Sequence, residues 1–279
     1  MLNFEDRSKE NIKIEDCSWY HIMDVPGLGL VDGLYDLRNS VEAILGNLNY
    51  KNKKVLNIGQ STGYLSFEAE KRGADVTSVD LNYDKGELID WVINVKQENT
   101  EEIKNFISLE KRRRNAFWYA HKAFNSKSKL LLSNVNNLPE ELEEQDIAIF
   151  LNMLLHLRDP FGALLKVCSR LREKIVITEL GGYTHHNKVL KNIRKIKNFF
   201  FNVDEQPLLY FVPNDLRKPT KWWKFSPLVI INMLKLLGFE KKEVIYHFLT
   251  FLLLFLTFAL DFHYFFLFVC IVEILLVHF

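Results

Sequence analysis

Along the 279-residue chain, short apolar or β-branched runs alternate with stretches whose apolar residues return every three or four positions. The runs are strand-like. They are Lys54–Ile58, Asp75–Asp80, "KLLLSNV", "QDIAIFLNML", "KIVITEL" and "KKEVIYHF". Helical spacing lies between them. Arg38 to Leu48 carries Val41, Ile44, Leu45 and Leu48 on one face, and a helix follows from about Tyr64 to Arg72. Residues 81–128 hold two helical stretches, "GELIDWVINVK" and "RRRNAFWYAHKAFNS". Two later helices announce their starts. "DPFGALLKVCSRLRE" has Asp159 as N-cap and Pro160 after it, and "SPLVIINMLKLLGF" has Ser226, Pro227 and a stop at Gly238. Strands alternating with helices predict an α/β fold: a doubly wound, mostly parallel sheet with helices on both faces. Residues 1–18 read as a loose polar arm.

The richest stretch is "KVLNIGQSTGYLSFEAEKRGADVTSVD", Lys54–Asp80: strand, glycine turn, helix, strand. A dinucleotide fingerprint is G-x-G-x-x-G, whose middle glycine lets the backbone approach a pyrophosphate. Here the turn is Gly59-Gln60-Ser61-Thr62-Gly63, followed by Tyr64. The middle position has a side chain, the third glycine is missing, and the Gly-Lys-Ser/Thr of a P-loop is absent. A phosphate cradle is disfavoured. A nucleoside with a short amino-acid arm fits better, because it needs glycines against which it can lie and an acid at the end of the second strand for its ribose. Asp80 stands seventeen residues after Gly63, where that acid belongs. Alone, the motif leaves a second reading open, in which the glycines shape a βα turn and Asp80 caps a strand.

Composition narrows the field. Hydrophobic residues make up 48% and charged residues 25%, ordinary for a globular protein, and the net charge of +1 gives no global pull toward nucleic acid or anionic membrane. Cys17, Cys168 and Cys270 form no CxxC pair, so neither a disulfide framework nor a cysteine zinc site is expected, and no metal is predicted. The N-terminus lacks the basic and apolar regions of a secretory signal. Local basic patches remain. "KRRRN" stands at 111–115, and residues 185–224 hold nine Lys or Arg against three acids, interleaved with aromatics. Such a segment suits an anionic substrate, and equally a solvated helix face with a core-facing aromatic stripe.

Several blocks together resemble the class I S-adenosylmethionine-dependent methyltransferases, above all the branch related to tRNA wobble-uridine-modifying enzymes. They are "WYHIMDVPGLGLVDGLYDLR", "VLNIGQSTGYLSFEAEKRGA", "LLHLRDPFGALLKV", "IVITEL" and "KWWKFSPLVIINMLKLLGF", spread over roughly residues 18–247. The resemblance implies a Rossmann-like methyltransferase sheet and S-adenosylmethionine as cofactor. It implies that Gly59, Gln60, Ser61 and Gly63 wrap the methionine arm, and that Asp80 holds the ribose. Leu81, Asn134 and Val135 would meet the adenine, and Leu151 and Asn152 would lie beside the sulfonium. Trp19, Tyr20, His21 and Arg38 would belong to a segment folded over the cofactor mouth. The chain departs from the family at Asn57, where an acid is usual, and at Leu155, where wobble-uridine carboxymethylating relatives often carry an aromatic; the latter favours ordinary S-adenosylmethionine. His156 is the candidate catalytic base, with packing over the cofactor as the rival role. Trp222 and Trp223 could stack on a substrate base or sugar, or serve as core and cover. The acceptor would be an O or N atom of a small or glycan-type metabolite or of RNA, with no obligate protein partner. The alternative is an inactive cofactor-binding module or a degraded copy.

The sequence thus divides into an N-terminal arm and cap helix (1–50), a methyltransferase domain (51–247, with a basic and aromatic insertion at 184–224) and a tail, 248–279. The tail holds nine of the 22 phenylalanines and no Lys, Arg, Gly or Pro. About 20 apolar residues suffice to cross a bilayer. A hydrophobic, membrane-associated C-terminal helix is therefore expected, tethering a cytoplasmic catalytic domain, with a shifted reading frame as its rival.

Overall fold

The computed structural model describes residues 2–87, 101–179, 207–211, 221–240, 243–245, 249–251, 266–268 and 270–274. The first expected helix of the 81–128 region, most of the basic insertion, Lys241, Lys242 and most of the tail lie outside them.

One eight-stranded sheet organises the chain. Its strands are β1 (Phe4–Glu5), β4 (Lys54–Ile58), β5 (Asp75–Asp80), β6 (Lys129–Leu132), β7 (Gln145–Leu151), β8 (Leu171–Glu179), β11 (Glu243–Ile245) and β14 (Cys270–Ile274). Their order is β1-β6-β5-β4-β7-β8-β14-β11. The five from β6 to β8 run parallel, with Asn57 opposite both Ser78 and Ile149. Small hairpins lie outside this sheet: β2 (Met23–Val25) with β3 (Gly29–Val31), β9 (Leu209–Phe211) with β10 (Trp223–Phe225), and β12 (Leu249–Phe251) with β13 (Phe266–Phe268).

The apolar runs are explained by burial on both faces. Val55, Ile147, Ile149 and Val176 enter one core, where helices α2 (Tyr64–Lys71) and α3 (Glu101–Ala123) supply Leu65, Phe67, Phe117 and Trp118. Their alternating neighbours Leu56, Ala148, Phe150, Ile175 and Ile177 enter the other. There α4 (Pro160–Cys168) and α5 (Pro227–Leu236) supply Leu164, Val167, Ile230 and Leu234. Asp159 accepts from the Gly162 amide at 2.8 Å and Ser226 from that of Val229 at 3.4 Å, so both expected N-caps are present. The helix expected over 38–48 is shorter. A 3-10 turn, Arg38–Ser40, leads into α1 (Val41–Ile44), and the left-handed pair Gly46 and Asn47 ends it.

Two expectations are corrected. The arm is not loose: β1 pairs antiparallel with β6, and Arg7 Nη1 donates to Asn115 Oδ1 at 3.0 Å. A polar sequence hid an edge strand of two residues. The tail, where described, is strand and not helix, and among the described residues no helix is long and apolar enough to cross a membrane. β14 inserts antiparallel between β8 and β11, with Val272 opposite both Ile177 and Val244. A short apolar run does not by its pattern distinguish a strand inside a sheet from a segment of helix.

Candidate functional site

A crevice of about 270 Å³ opens at the carboxyl ends of the parallel strands. There the chain leaves each strand by a turn, and such sheets bind ligands at this edge. β4 delivers the turn Gly59–Gly63, β5 delivers Asp80 and Leu81, β6 leads to Ser133, Asn134 and Val135, and β7 delivers Leu151 and Asn152.

The turn is tight. Gly59, Ser61 and Gly63 all have positive φ, at 77°, 50° and 82°. The Gly59 amide donates to the Val79 carbonyl at 2.9 Å, and that of Gly63 to the Gln60 carbonyl at 2.8 Å. The two glycines do different work. A Cβ on Gly59 would stand 2.3 Å from Met153 Sδ beside the crevice. One on Gly63 would stand 2.5 Å from Phe117 and 2.8 Å from Phe67, in the core. Gly63 is absent from the crevice wall and caps α2, so packing accounts for it.

Polar atoms in the wall are left over. Gln60 Oε1 and Nε2, Ser61 Oγ and Asn152 Oδ1 are buried with no hydrogen-bond partner among the described residues. Asn152 has φ 51°, so a second non-glycine residue of the wall, after Ser61, is held in the left-handed region. Buried polar groups are almost always paired, and strained, unpaired ones gather where a ligand completes them. Asp80 is oriented by two amides, Leu81 N to Oδ1 at 2.8 Å and Ser61 N to Oδ2 at 3.3 Å. Burial pushes its carboxyl up, against the pull of Arg114.

Asn57 is also in the crevice wall, with its amide nitrogen tied back into the fold. Its Nδ2 donates to Ser66 Oγ at 2.9 Å, and that hydroxyl is 2.7 Å from Ser78 Oγ. This neutral chain ties β4, α2 and β5 together behind the turn. A carboxylate at 57 would bring charge into that network, so the departure from the family pattern has a local counterpart.

The N-terminal segment covers the crevice with Tyr20, His21, Tyr35 and Leu37. His21 Nδ1 and Thr62 Oγ1 lie 3.2 Å apart, linking the cover to the glycine turn. Burial drives the His21 imidazole down to about 3, so it is neutral near pH 7. Trp19 and Arg38 are not in the wall. Trp19 meets Tyr119 edge-on at 6.3 Å, and Arg38 forks exposed onto Asp36 at 2.8 and 2.7 Å.

Among the wall residues that escaped the sequence reading are Phe106, Glu110 and Arg113 of α3. Their spacing puts them on one helix face. "KRRRN" drew attention instead as an open basic patch. It is mostly internal fastening. Arg112 Nη2 donates to the carbonyls of Glu15 and Cys17, both at 3.0 Å. Arg113 pairs with Glu110 and lies 4.5 Å over the Tyr20 ring. Arg114, 3% exposed, donates to the Leu81 carbonyl.

His156 is in the wall, on the 3-10 turn Leu154–His156. That turn is braced from behind. Glu179, 4% exposed at the end of β8, accepts from the Leu154 amide at 2.7 Å. Burial raises its carboxyl to about 8, opposed by the amides of Leu154, Leu155 and Met153. The Trp222 amide donates to the Leu155 carbonyl and Trp223 Nε1 to the Leu157 carbonyl, both at 2.9 Å. Phe211 stacks on Trp222 and meets Trp223 edge-on, at 5.9 and 5.5 Å. The tryptophan pair thus supports the His156 turn and is absent from the crevice wall. Among the described residues, no cluster of three or more His, Cys, Asp and Glu side chains could hold a metal ion.

No protein-family model matches the chain, and no curated protein does. Solved structures do. The N-terminal domain of EvdMO1, in the presence of SAH and D-fucose, aligns over 97% of this chain and 94% of its own with TM-score 0.54 and 12% identity. The same domain with SAH bound gives 0.54 and 13%, over 97% and 93%. Magnesium protoporphyrin IX methyltransferase (ChlM) from Synechocystis PCC 6803 with bound SAH gives 0.48 and 13%, over 86% and 82%. The chain has the Rossmann-like methyltransferase fold. At these identities the likeness is one of fold. It accounts for the parallel sheet and for a crevice at the strand ends.

Proposed function

We propose that the chain binds S-adenosylmethionine in this crevice and transfers its methyl group to an O or N acceptor. The observation that carries the reading is the set of unpartnered polar atoms on Gln60, Ser61 and Asn152, converging with Asp80 on one crevice where Gly59 has no side chain. Gly59, Gln60 and Ser61 would meet the amino-acid arm. Asp80 would accept from the ribose, and Leu81, Asn134 and Val135 would flank the base. When bound, the cofactor supplies an activated methyl group. The chain's own residues place the acceptor in line with it and exclude water, and alignment alone can supply much of the rate. His156, in the same wall, would take the acceptor's proton.

A small, glycan-type acceptor suits a crevice closed over by Tyr20 and Tyr35. That EvdMO1 was crystallised with D-fucose as well as SAH is in keeping with it. RNA is the rival. The internal use of Arg112, Arg113 and Arg114 removes one basic patch from its support, and the link to the wobble-uridine branch rests on sequence blocks alone. Calorimetry with S-adenosylhomocysteine and with NAD tests the first step. Binding of the former alone is expected, and binding of NAD alone overturns the proposal. Transfer of labelled methyl from S-adenosylmethionine to a sugar or metabolite fraction, insensitive to salt, would then separate a small acceptor from RNA.

A further inference from the structure

Glu110 is 8% exposed, yet it lines the crevice. Burying an acid costs free energy, and an apolar residue would fill the same wall without that cost. Its only described ion-pair partner is Arg113, through Oε1. Arg113 Nη1 serves Glu110 and the guanidinium lies over Tyr20, while its buried Nε has no hydrogen-bond partner among the described residues. The described contacts of Glu110 use Oε1 alone, which leaves Oε2 as a further acceptor on a residue of the crevice wall. Asp80 and Glu110 both line the crevice, so two acids from different elements face one space. Asp80 has an amide on each oxygen already. A ribose presents two neighbouring hydroxyls, each needing an acceptor.

We propose that Glu110 is a second acid of the nucleoside subsite, sharing the ribose 2′,3′-diol with Asp80 and setting the crevice against nucleosides phosphorylated at that diol. The assignment rests on the cofactor reading above. Arg113 holds the Glu110 carboxyl in place and balances its charge. A phosphate at either hydroxyl would meet two carboxyl groups, which is a repulsive element and not merely a missing contact.

The test is calorimetry on the full chain with S-adenosylhomocysteine and its 2′-deoxy and 3′-deoxy counterparts. Burial raises the Glu110 carboxyl to about 7, so the titrations are run at about pH 8, where it is mostly ionised and a hydrogen bond to it is worth roughly tenfold or more in affinity. The wild-type chain should therefore bind at least one deoxy compound about tenfold more weakly than the parent. Glu110→Leu should bind the parent more weakly by a similar factor and lose the discrimination against one deoxy compound. Glu110→Gln, which keeps shape and a neutral acceptor, should lie between and covers the case in which Glu110→Leu does not fold. Wild-type discrimination retained in Glu110→Gln and in any folded Glu110→Leu overturns the inference and leaves the cofactor reading standing. No binding of S-adenosylhomocysteine by the wild-type chain overturns both.

Discussion

Gly59→Ala is the sharpest probe of the turn. Two costs add. The residue sits at φ +77°, where an L side chain costs about 1–2 kcal/mol. The new Cβ would also lie 2.3 Å from Met153 Sδ and 3.0 Å from its Cγ and Cε, well inside van der Waals contact. Overpacking of this kind costs roughly 1–3 kcal/mol where the neighbour can yield. The sum is about 2–5 kcal/mol, a large share of the roughly 5–15 kcal/mol that holds a domain folded. Urea unfolding of Gly59→Ala, Met153→Ala and the double variant separates the two costs. Removing the Met153 side chain should recover the contact cost, about 1 kcal/mol or more, and leave the backbone cost untouched. Gly63→Ala serves as control. Its Cβ meets Phe117 and Phe67, so Met153→Ala should bring no relief there. Additive effects at Gly59 and Met153, or a Gly59→Ala loss below about 0.5 kcal/mol, would refute the geometry assigned to the turn.

Glu179 should make stability fall with pH. Its carboxyl lies at about 8 in the fold against 4.5 in the open chain, so between those values the folded state holds more protons than the unfolded one. Stability is then full below 4.5, declines as pH rises toward 8 and levels off above it. Glu179→Gln should gain on the wild type across that window by up to a few kcal/mol, read as the difference in urea midpoints, and a pH-independent difference would contradict it. His156→Ala should lower turnover by roughly 10²–10⁴-fold while leaving S-adenosylhomocysteine affinity nearly unchanged, and the opposite split in kcat and Kd would make it a packing residue.

The sheet's centre was legible because β4, β5, β7 and β8 are buried on both faces, leaving apolar runs broken only by turn residues. The glycine turn and Asp80 were legible for the same reason, since a strand end followed by Gly59 fixes which positions reach the crevice. What stayed hidden depended on partners distant in sequence. Arg112, Arg113 and Arg114 look like one charge run. Their partners are carbonyls at 15, 17 and 81, a carboxyl one helical turn away and a tyrosine ring at 20. Glu110 and Phe106 share the Arg113 face, but only the fold reveals that this face meets the crevice and not solvent. Gly59 and Gly63 are alike in sequence and in φ. One borders the crevice and the other the core, because Met153 stands over the first and Phe117 over the second.

The tail shows where hydrophobic pattern runs out. Phe, Leu, Ile and Val satisfy a lipid-facing helix and a doubly covered strand equally, and neither leaves a polar period to read. What distinguishes them is the backbone. A spanning helix closes its hydrogen bonds within itself, whereas a strand leaves them open for neighbours. β8 and β11 flank β14 on either side, with Ile271 set between Thr178 and Ile245 and Glu273 between Val176 and Glu243. Both edges of β14 are thus paired over Ile271–Glu273, inside the sheet that builds the crevice. Glu273 lies opposite Glu243 in that register. Like charges placed opposite each other oppose pairing. The pairing with β8, which runs the full length of β14 from Cys270 to Ile274, holds the strand in the sheet despite that contact.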